Sequence, residues 1–267
     1  MRLNQVPEAL IHRAMWQPTL REAVYRYVDW RAQWRFSTPE LRNVPPASLR
    51  FRVHGDLDIS SFLETGKQCS QDIKDALTKV SANFESFRDV LDFGCGCGRT
   101  IRWLQNSANS ARLHGTDIDE TAINWCRRHL EFASFETNRP RPPLAYAANR
   151  FDFVYAISVF THLTEEDQLC WLSELRRVTR SSGQVLLTVR GSYYWNSMSP
   201  RQLDQLKQAG FVFSETAKFM QGIFPEWYQD AYHSREYVAE YSKYFDVVEY
   251  IPQGLDGCQD IVLLRKP

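Results

Sequence analysis

From about Gln68 onward the chain keeps changing its hydrophobic period, and that alternation limits the folds open to it. Asp72 to Val80 has helical spacing, and Asp89-Val90-Leu91-Asp92-Phe93 reads as a short strand. Arg99 to Leu104 opens a helix, and Arg112 to Asp117 forms a second strand. Glu120 to Leu130 is helical, Phe132 to Thr137 is a third strand and Phe153 to Ile157 a fourth. Thr164 and Asp167 have capping-box spacing before a helix that runs to about Thr179. Ser181-Ser182-Gly183 then turns into a fifth strand, Gln184 to Val189. Strands and helices in such alternation require parallel strands joined by right-handed crossovers, hence a doubly wound α/β sheet.

The end of the chain departs from the alternation. Phe245 to Ile251 and Asp260 to Leu264 are strands separated only by Pro252-Gln253-Gly254-Leu255-Asp256-Gly257. That link is too short for a crossover helix, so these two strands are expected to be antiparallel. The expected architecture is a Rossmann-like sheet of seven strands with an antiparallel last strand, and an insertion between strands five and six. Ahead of it, Ala23, Tyr27, Trp30 and Trp34 recur on one face of a helix from Thr19 to Phe36. Pro39, Pro45 and Pro46 end that pattern. The aromatic stripe is expected to pack against the main domain, or to act as a lid over a pocket.

Composition narrows the function classes. The chain has 32 Lys plus Arg against 32 Asp plus Glu. A protein that grips many phosphates normally carries a basic excess, so no nucleic-acid partner is expected. No apolar run reaches the length of a spanning helix, and the first residues lack the order of a secretory signal. Six scattered cysteines without CxxC spacing read as reduced thiols of a cytoplasmic protein. No His/Asp/Glu cluster has metal-ligand spacing, so no metal is expected.

In an open α/β sheet, ligands bind outside the carboxyl ends of the strands, and here the first strand-to-helix turn is Asp92-Phe93-Gly94-Cys95-Gly96-Cys97-Gly98-Arg99. Glycines at 94, 96 and 98 let a ligand lie against bare backbone, and the next helix offers unpaired N–H groups. A dinucleotide GxGxxG fingerprint would place glycine at 99, where the chain has arginine, and no GxxxxGK[ST] loop is present. Asp92, two residues before the first glycine, suits a cationic amino group better than a pyrophosphate. Asp117 ends the second strand, where a carboxylate can accept both hydroxyls of a ribose.

Val90-Leu91-Asp92-Phe93-Gly94-Cys95-Gly96-Cys97-Gly98-Arg99 resembles motif I of the class I S-adenosylmethionine-dependent methyltransferases, and Gly115-Thr116-Asp117-Ile118-Asp119 resembles their second motif. Phe151 to Leu163, with its Ser158-Val159-Phe160-Thr161-His162-Leu163 segment, resembles a bacterial subgroup acting in small-molecule and saccharide pathways. The resemblance covers about residues 45 to 267. It implies a cofactor-binding domain at 66–267, with 191–245 as an acceptor-side insertion; residues 1–65, on which it says nothing before about 45, are expected from their helical stripe to form a lid or extension. It also implies Asp92 near the methionine amino group, and Gly94, Cys95, Gly96 and Gly98 along the ligand. Asp117 would hold the ribose, Ile118 would lie on the adenine, Asn138 would accept from the adenine amine, and Ser158 would face the methionine part.

The implied reaction is in-line methyl transfer from S-adenosylmethionine to a small-molecule, natural-product or saccharide-like acceptor, releasing S-adenosylhomocysteine. Positioning supplies much of the rate of such a step, and a hydroxyl acceptor also needs a base. His162, after the fourth strand, and His233, in the insertion, are the candidate bases. Trp227, Tyr228 and Tyr232 are candidates for the acceptor wall, and this population of histidine and tyrosine favours oxygen over nitrogen. Two alternatives stay open on sequence grounds: a non-catalytic binder of the same cofactor, and an NAD-dependent oxidoreductase. The oligomeric state is not readable from the chain.

Overall fold

Successive residues of a strand point to opposite faces, and here both faces are covered. In the computed structural model, which describes residues 8–15, 17–35, 43–108, 111–214, 229–242 and 244–267, all five residues of β1 (Asp89–Phe93) are buried. Val90 joins a core on one side, with Ile73, Ile101 and Ile123. Leu91 and Phe93 join the core on the other, with Trp171, Leu172 and Leu175. The first core is roofed by α4 (Ile59–Lys79), α5 (Ile101–Leu104) and α6 (Glu120–His129), the second by α7 (Glu165–Val178) and α9 (Arg235–Tyr241).

The remaining strands of the main sheet are β2 (Arg112–Asp117), β3 (Ala133–Thr137), β4 (Phe151–Ala156), β5 (Thr179–Val189), β8 (Asp246–Leu255) and β9 (Gln259–Arg265). They form a seven-stranded sheet in the order β3-β2-β1-β4-β5-β9-β8. The pairs from β3 through β5 are parallel, and β9 runs antiparallel to both β5 and β8. This is the expected doubly wound sheet with its antiparallel finish. One boundary differs: Thr179 already pairs with Phe151, so β5 starts where α7 ends, and the expected turn at 181–183 lies inside the strand.

The segment between β5 and β8 contains α8 (Pro200–Ala209), a two-stranded antiparallel ladder of β6 (Phe211–Ser214) and β7 (Asp230–His233), and α9. Trp227 and Tyr228 lie outside the described residues.

The N-terminal helices α1 (Glu8–Met15), α2 (Pro18–Arg35) and α3 (Ala47–His54) have a small core of their own, built on Ile11, Met15, Val24, Phe51 and Leu57. The face of α2 that packs is centred on Val24. Ala23, Trp30 and Trp34 of the expected stripe are exposed, Trp34 by 78%. Tyr27 of the stripe packs on that small core, and the Tyr27–Trp30 and Trp30–Trp34 ring centroids are each 6.1 Å apart. The expected boundary at 65/66 falls within α4.

Helix α3 begins after Pro46, which has no side-chain cap to offer. Asp29 of α2 takes that place. Its two carboxylate oxygens accept from the Ala47 N–H at 2.9 and 3.0 Å, and one accepts from Arg50 Nη1 at 3.2 Å. Arg50 is buried, and its remaining bonds go to the carbonyls of Pro45 and Leu57. Replacing Asp29 by Ala uncaps α3 and leaves a buried guanidinium without its counter-ion. The expected cost is about 2–4 kcal/mol, readable as a lower urea midpoint. An unchanged midpoint would show that α2 does not hold α3 in place.

Candidate active site

A cavity of about 580 Å³ opens at the carboxyl ends of β1, β2, β4 and β5, the size range of sites for small ligands. Its floor is the turn after β1. Gly94 and Gly96 have φ of +81° and +52°, which other residues rarely adopt. A Cβ on Gly94 would lie 2.2 Å from Val159 Cγ2, and one on Gly96 would lie 2.6 Å from Val53 Cγ2. Gly94, Cys95 and Gly96 line the cavity. Gly98 does not. It faces Leu130 and Cys126, so its small size serves helix packing, a correction to the expectation that it lies along the ligand.

Two carboxylates stand at this end. Asp92 is buried and accepts from the Tyr155 hydroxyl at 2.9 Å. Burial, reinforced by nearby Asp117, pushes its pKa up to about 8. Asp117 accepts from the Gly96 N–H at 2.7 Å and from the Asp119 N–H at 2.8 Å. Burial raises it to about 6 against those bonds. Ile118 and Asn138 line the same end. The Asn138 amide is engaged on both sides: its oxygen accepts from the Thr116 hydroxyl at 3.0 Å and its nitrogen donates to the Arg139 carbonyl at 2.8 Å.

After β4 the chain turns through Ser158, whose φ is +59°. The conformation is held by its N–H donating to Thr188 Oγ1 and by its hydroxyl accepting from Gln259 Nε2, both at 2.8 Å. Such strain in a non-glycine residue is common at functional sites. Ser158 and His162 both line the cavity. His162 Nδ1 faces the Gln229 carbonyl, and burial, with Arg190 nearby, pushes its pKa down to about 4.

His233 is placed elsewhere, and its expected role as a base is corrected by its surroundings. Side chains along β7 alternate, with Ala231 and His233 buried and Asp230 and Tyr232 half-buried. His233 therefore points away from Tyr232, into the core against Phe211, and it does not line the cavity. Its Nε2 donates to Gln168 Oε1 at 3.0 Å, and Gln168 Nε2 donates to the carbonyls of Phe160 and Leu163, each at 3.0 Å. Burial pushes its pKa down to about 3. His233 thus braces the loop that carries His162.

Several lining residues escaped the sequence reading. Arg52, Val53 and His54 come from α3, Cys258 and Gln259 from the β8–β9 hairpin, and Arg190 and Tyr194 follow β5. Arg190 stands directly after β5, the same strand-end position that singled out Asp117 and Ser158. Tyr232 enters through Arg190, whose guanidinium lies 5.7 Å from its ring centroid.

Residues 90–183 match a family model described as a methyltransferase domain. The chain is 27% identical over 176 residues to a methyltransferase, GfsG, of Streptomyces halstedii, covering 62% of this chain and 57% of that one. It is 31% identical over 112 residues to a fatty-acid O-methyltransferase of Mycolicibacterium smegmatis, covering 42% and 40%. The chain thus spans about half the length of these relatives. A crystal structure of an S-adenosylmethionine-dependent methyltransferase from Methanosarcina mazei superposes with a TM-score of 0.53 at 15% identity, covering 68% of this chain and 93% of that one. Among the described residues, no helix is long and apolar enough to cross a membrane, and no cluster of three metal-ligating side chains occurs.

Raised carboxylate pKa values have a cost in stability. Asp92 and Asp117 bind protons more readily folded than unfolded, so their contribution is complete below about pH 4 and is lost as pH rises through about 6 and 8. Asp92→Asn keeps an acceptor for Tyr155 without the charge. The variant is expected to be more stable than the parent at pH 8 by roughly 1–3 kcal/mol, with the gain shrinking towards pH 5. Calorimetry across that range checks it; a gain of equal size at both pH values would mean that charge is not the cause.

Proposed function

We propose that this chain, which has the fold and the central domain of the class I S-adenosylmethionine-dependent methyltransferases, transfers a methyl group to an oxygen or nitrogen of a small-molecule, natural-product or saccharide-like acceptor. The observation that carries this reading is a tight glycine turn set beside two buried carboxylates, Asp92 and Asp117, in one cavity. One curated relative is an O-methyltransferase of fatty acids, which supports oxygen over nitrogen. A cytoplasmic setting belongs to the same proposal and is supported by six unpaired cysteines.

The residues suit the cofactor. The space that a Cβ on Gly94 or Gly96 would need is already bounded by Val159 and Val53, so a ligand there lies on backbone. A carboxylate as buried as Asp92 gains most from a cationic partner, and a ligand's amino group is one. Each Asp117 oxygen accepts one backbone N–H and retains capacity for a ribose hydroxyl. Ile118 offers an apolar surface for adenine, with Cys95 and Ser158 lining the methionine end. Asn138, with both amide atoms engaged, orders the adenine-side loop. When bound, S-adenosylmethionine supplies a methyl group on a cationic sulfur.

The chain's own work is alignment. The β1 turn and the Ser158 turn fix the methyl donor's side, and His162, Arg190 and Tyr194 face the acceptor. Holding two reactants in an in-line geometry replaces a bimolecular encounter by a unimolecular step. His162, with its pKa near 4, acts as a neutral hydrogen-bonding group at pH 7 rather than as a strong base.

The test is transfer of a deuterated methyl group from labelled S-adenosylmethionine into a metabolite extract of the source organism, read by mass spectrometry. A labelled small molecule is the expected outcome. Asp117→Ala is expected to weaken S-adenosylmethionine binding roughly tenfold or more. Binding with no transfer in any fraction would favour a non-catalytic binder, and no binding would remove the reading altogether.

A further inference from the structure

We propose that Arg190 anchors an anionic acceptor and that the methylated group is a carboxylate. The inference rests on the methyltransferase reading and names the acceptor class for the same cavity.

The Arg190 side chain is 13% exposed and lines the cavity. Nη1 donates to the Thr161 carbonyl at 3.3 Å and pairs with Asp230. Among the described residues, Nε and Nη2 have no hydrogen-bond partner. The rings of Tyr194 and Tyr232 lie 5.6 and 5.7 Å from the guanidinium carbon and fix its orientation. Their contacts, with the Nη1 bonds, leave the two-donor Nε/Nη2 edge available. Two parallel N–H donors in one plane match the two oxygens of a carboxylate.

Among the described residues, the histidines that line the cavity are poor bases, and that points the same way: His54 Nε2 meets Ser61 Oγ at 2.7 Å and its Nδ1 meets Arg99 at 3.4 Å. His162 Nδ1 donates to a carbonyl, and burial beside Arg190 lowers its pKa to about 4, so the ring takes up a proton poorly. His233 lies outside the cavity. Burial pushes the Tyr194 hydroxyl up, away from ionisation. Asp167 is committed to Arg141 and to the start of α7. A hydroxyl acceptor needs a base to take its proton. A carboxylate is ionised near neutral pH and needs none.

Each carboxylate oxygen has two lone pairs, so an oxygen held by Arg190 keeps one for attack. That pair forms the new C–O bond as the bond from the methyl carbon to sulfur breaks, and the breaking pair stays on sulfur. The products are a methyl ester and S-adenosylhomocysteine, and no proton is released or taken up.

Mild alkali separates the possibilities, because it frees the methyl group of an ester as volatile methanol and leaves ethers and N-methyl groups intact. The wild-type protein is incubated with methyl-tritiated S-adenosylmethionine and the metabolite extract, and the labelled fraction is treated with mild alkali. Volatile label is expected. Base-stable label would overturn the carboxylate assignment while leaving methyl transfer standing. No labelled fraction at all would remove both. With the acceptor fraction so identified, Arg190→Gln is expected to raise its KM about tenfold or more, with the S-adenosylmethionine Kd unchanged as the check on folding. Arg190→Lys, which keeps the charge without the fork, should fall between the two. An acceptor KM unaffected by either substitution would overturn the anchor.

Discussion

The Gly96 N–H donates to the Asp117 carboxylate at 2.7 Å, joining the turn after β1 to the end of β2, and much of the site is arranged around that bond. The second Asp117 oxygen takes the Asp119 N–H, and Asp119 in turn accepts from the first N–H groups of α6. Asp119 also pairs with Arg52 of α3 at 2.7 Å. Val53, next along α3, closes over Gly96. Helix α3 is itself held by Asp29 from α2. The N-terminal helices therefore supply part of the cavity wall, through a run of bonds that begins at the glycine turn.

Burial gives the cavity an electrical direction. Asp92 and Asp117 stand at β1 and β2, and Arg190 stands at β5, two strands beyond β1 in the sheet. Adjacent strands are about 4.8 Å apart, which puts roughly 10 Å between the carboxylate end and the guanidinium end. Water is largely excluded from all three side chains, and charge interactions gain strength there. Asp117, raised only to about 6, is charged at neutral pH and draws a cationic ligand group, beside which Asp92, raised to about 8, ionises; an anionic group is drawn to the other end. The histidines between or beside them are pushed towards neutrality by burial and by Arg190.

Much of this was legible in the chain because strand ends are local features. Alternating periods located every strand of the main sheet, and the rule that ligands bind at carboxyl ends led to Gly94, Asp117 and Ser158. What escaped depends on tertiary contacts. Val53 reaches Gly96 across 43 positions of sequence, and no period marks it. The packing face of α2 lies one position away from its aromatic stripe because Val24 and Asp29 turn towards α1 and α3. His233 was misread because β7 is only four residues long and lies in an insertion without a readable period. Its alternation, once seen, sends His233 inward and Tyr232 towards Arg190.

The insertion and the β8–β9 hairpin converge on residues 158–163. The Ala231 N–H donates to the Thr161 carbonyl at 2.8 Å, and the His233 N–H to the Arg190 carbonyl at 3.0 Å. Through Gln168, the His233 side chain also fastens the carbonyls of Phe160 and Leu163. From the other side, the β8–β9 hairpin reaches Ser158 through Gln259. Ser158 keeps a positive φ that its side chain disfavours, at a cost of order 1–3 kcal/mol for such a conformation. Bonds from β5 and β9 offset that cost only while both are docked. The Ser158 turn, which in the proposed reaction faces the methyl donor, is thereby coupled to the insertion, and under that proposal a change in the insertion's packing is transmitted to the alignment of the two reactants.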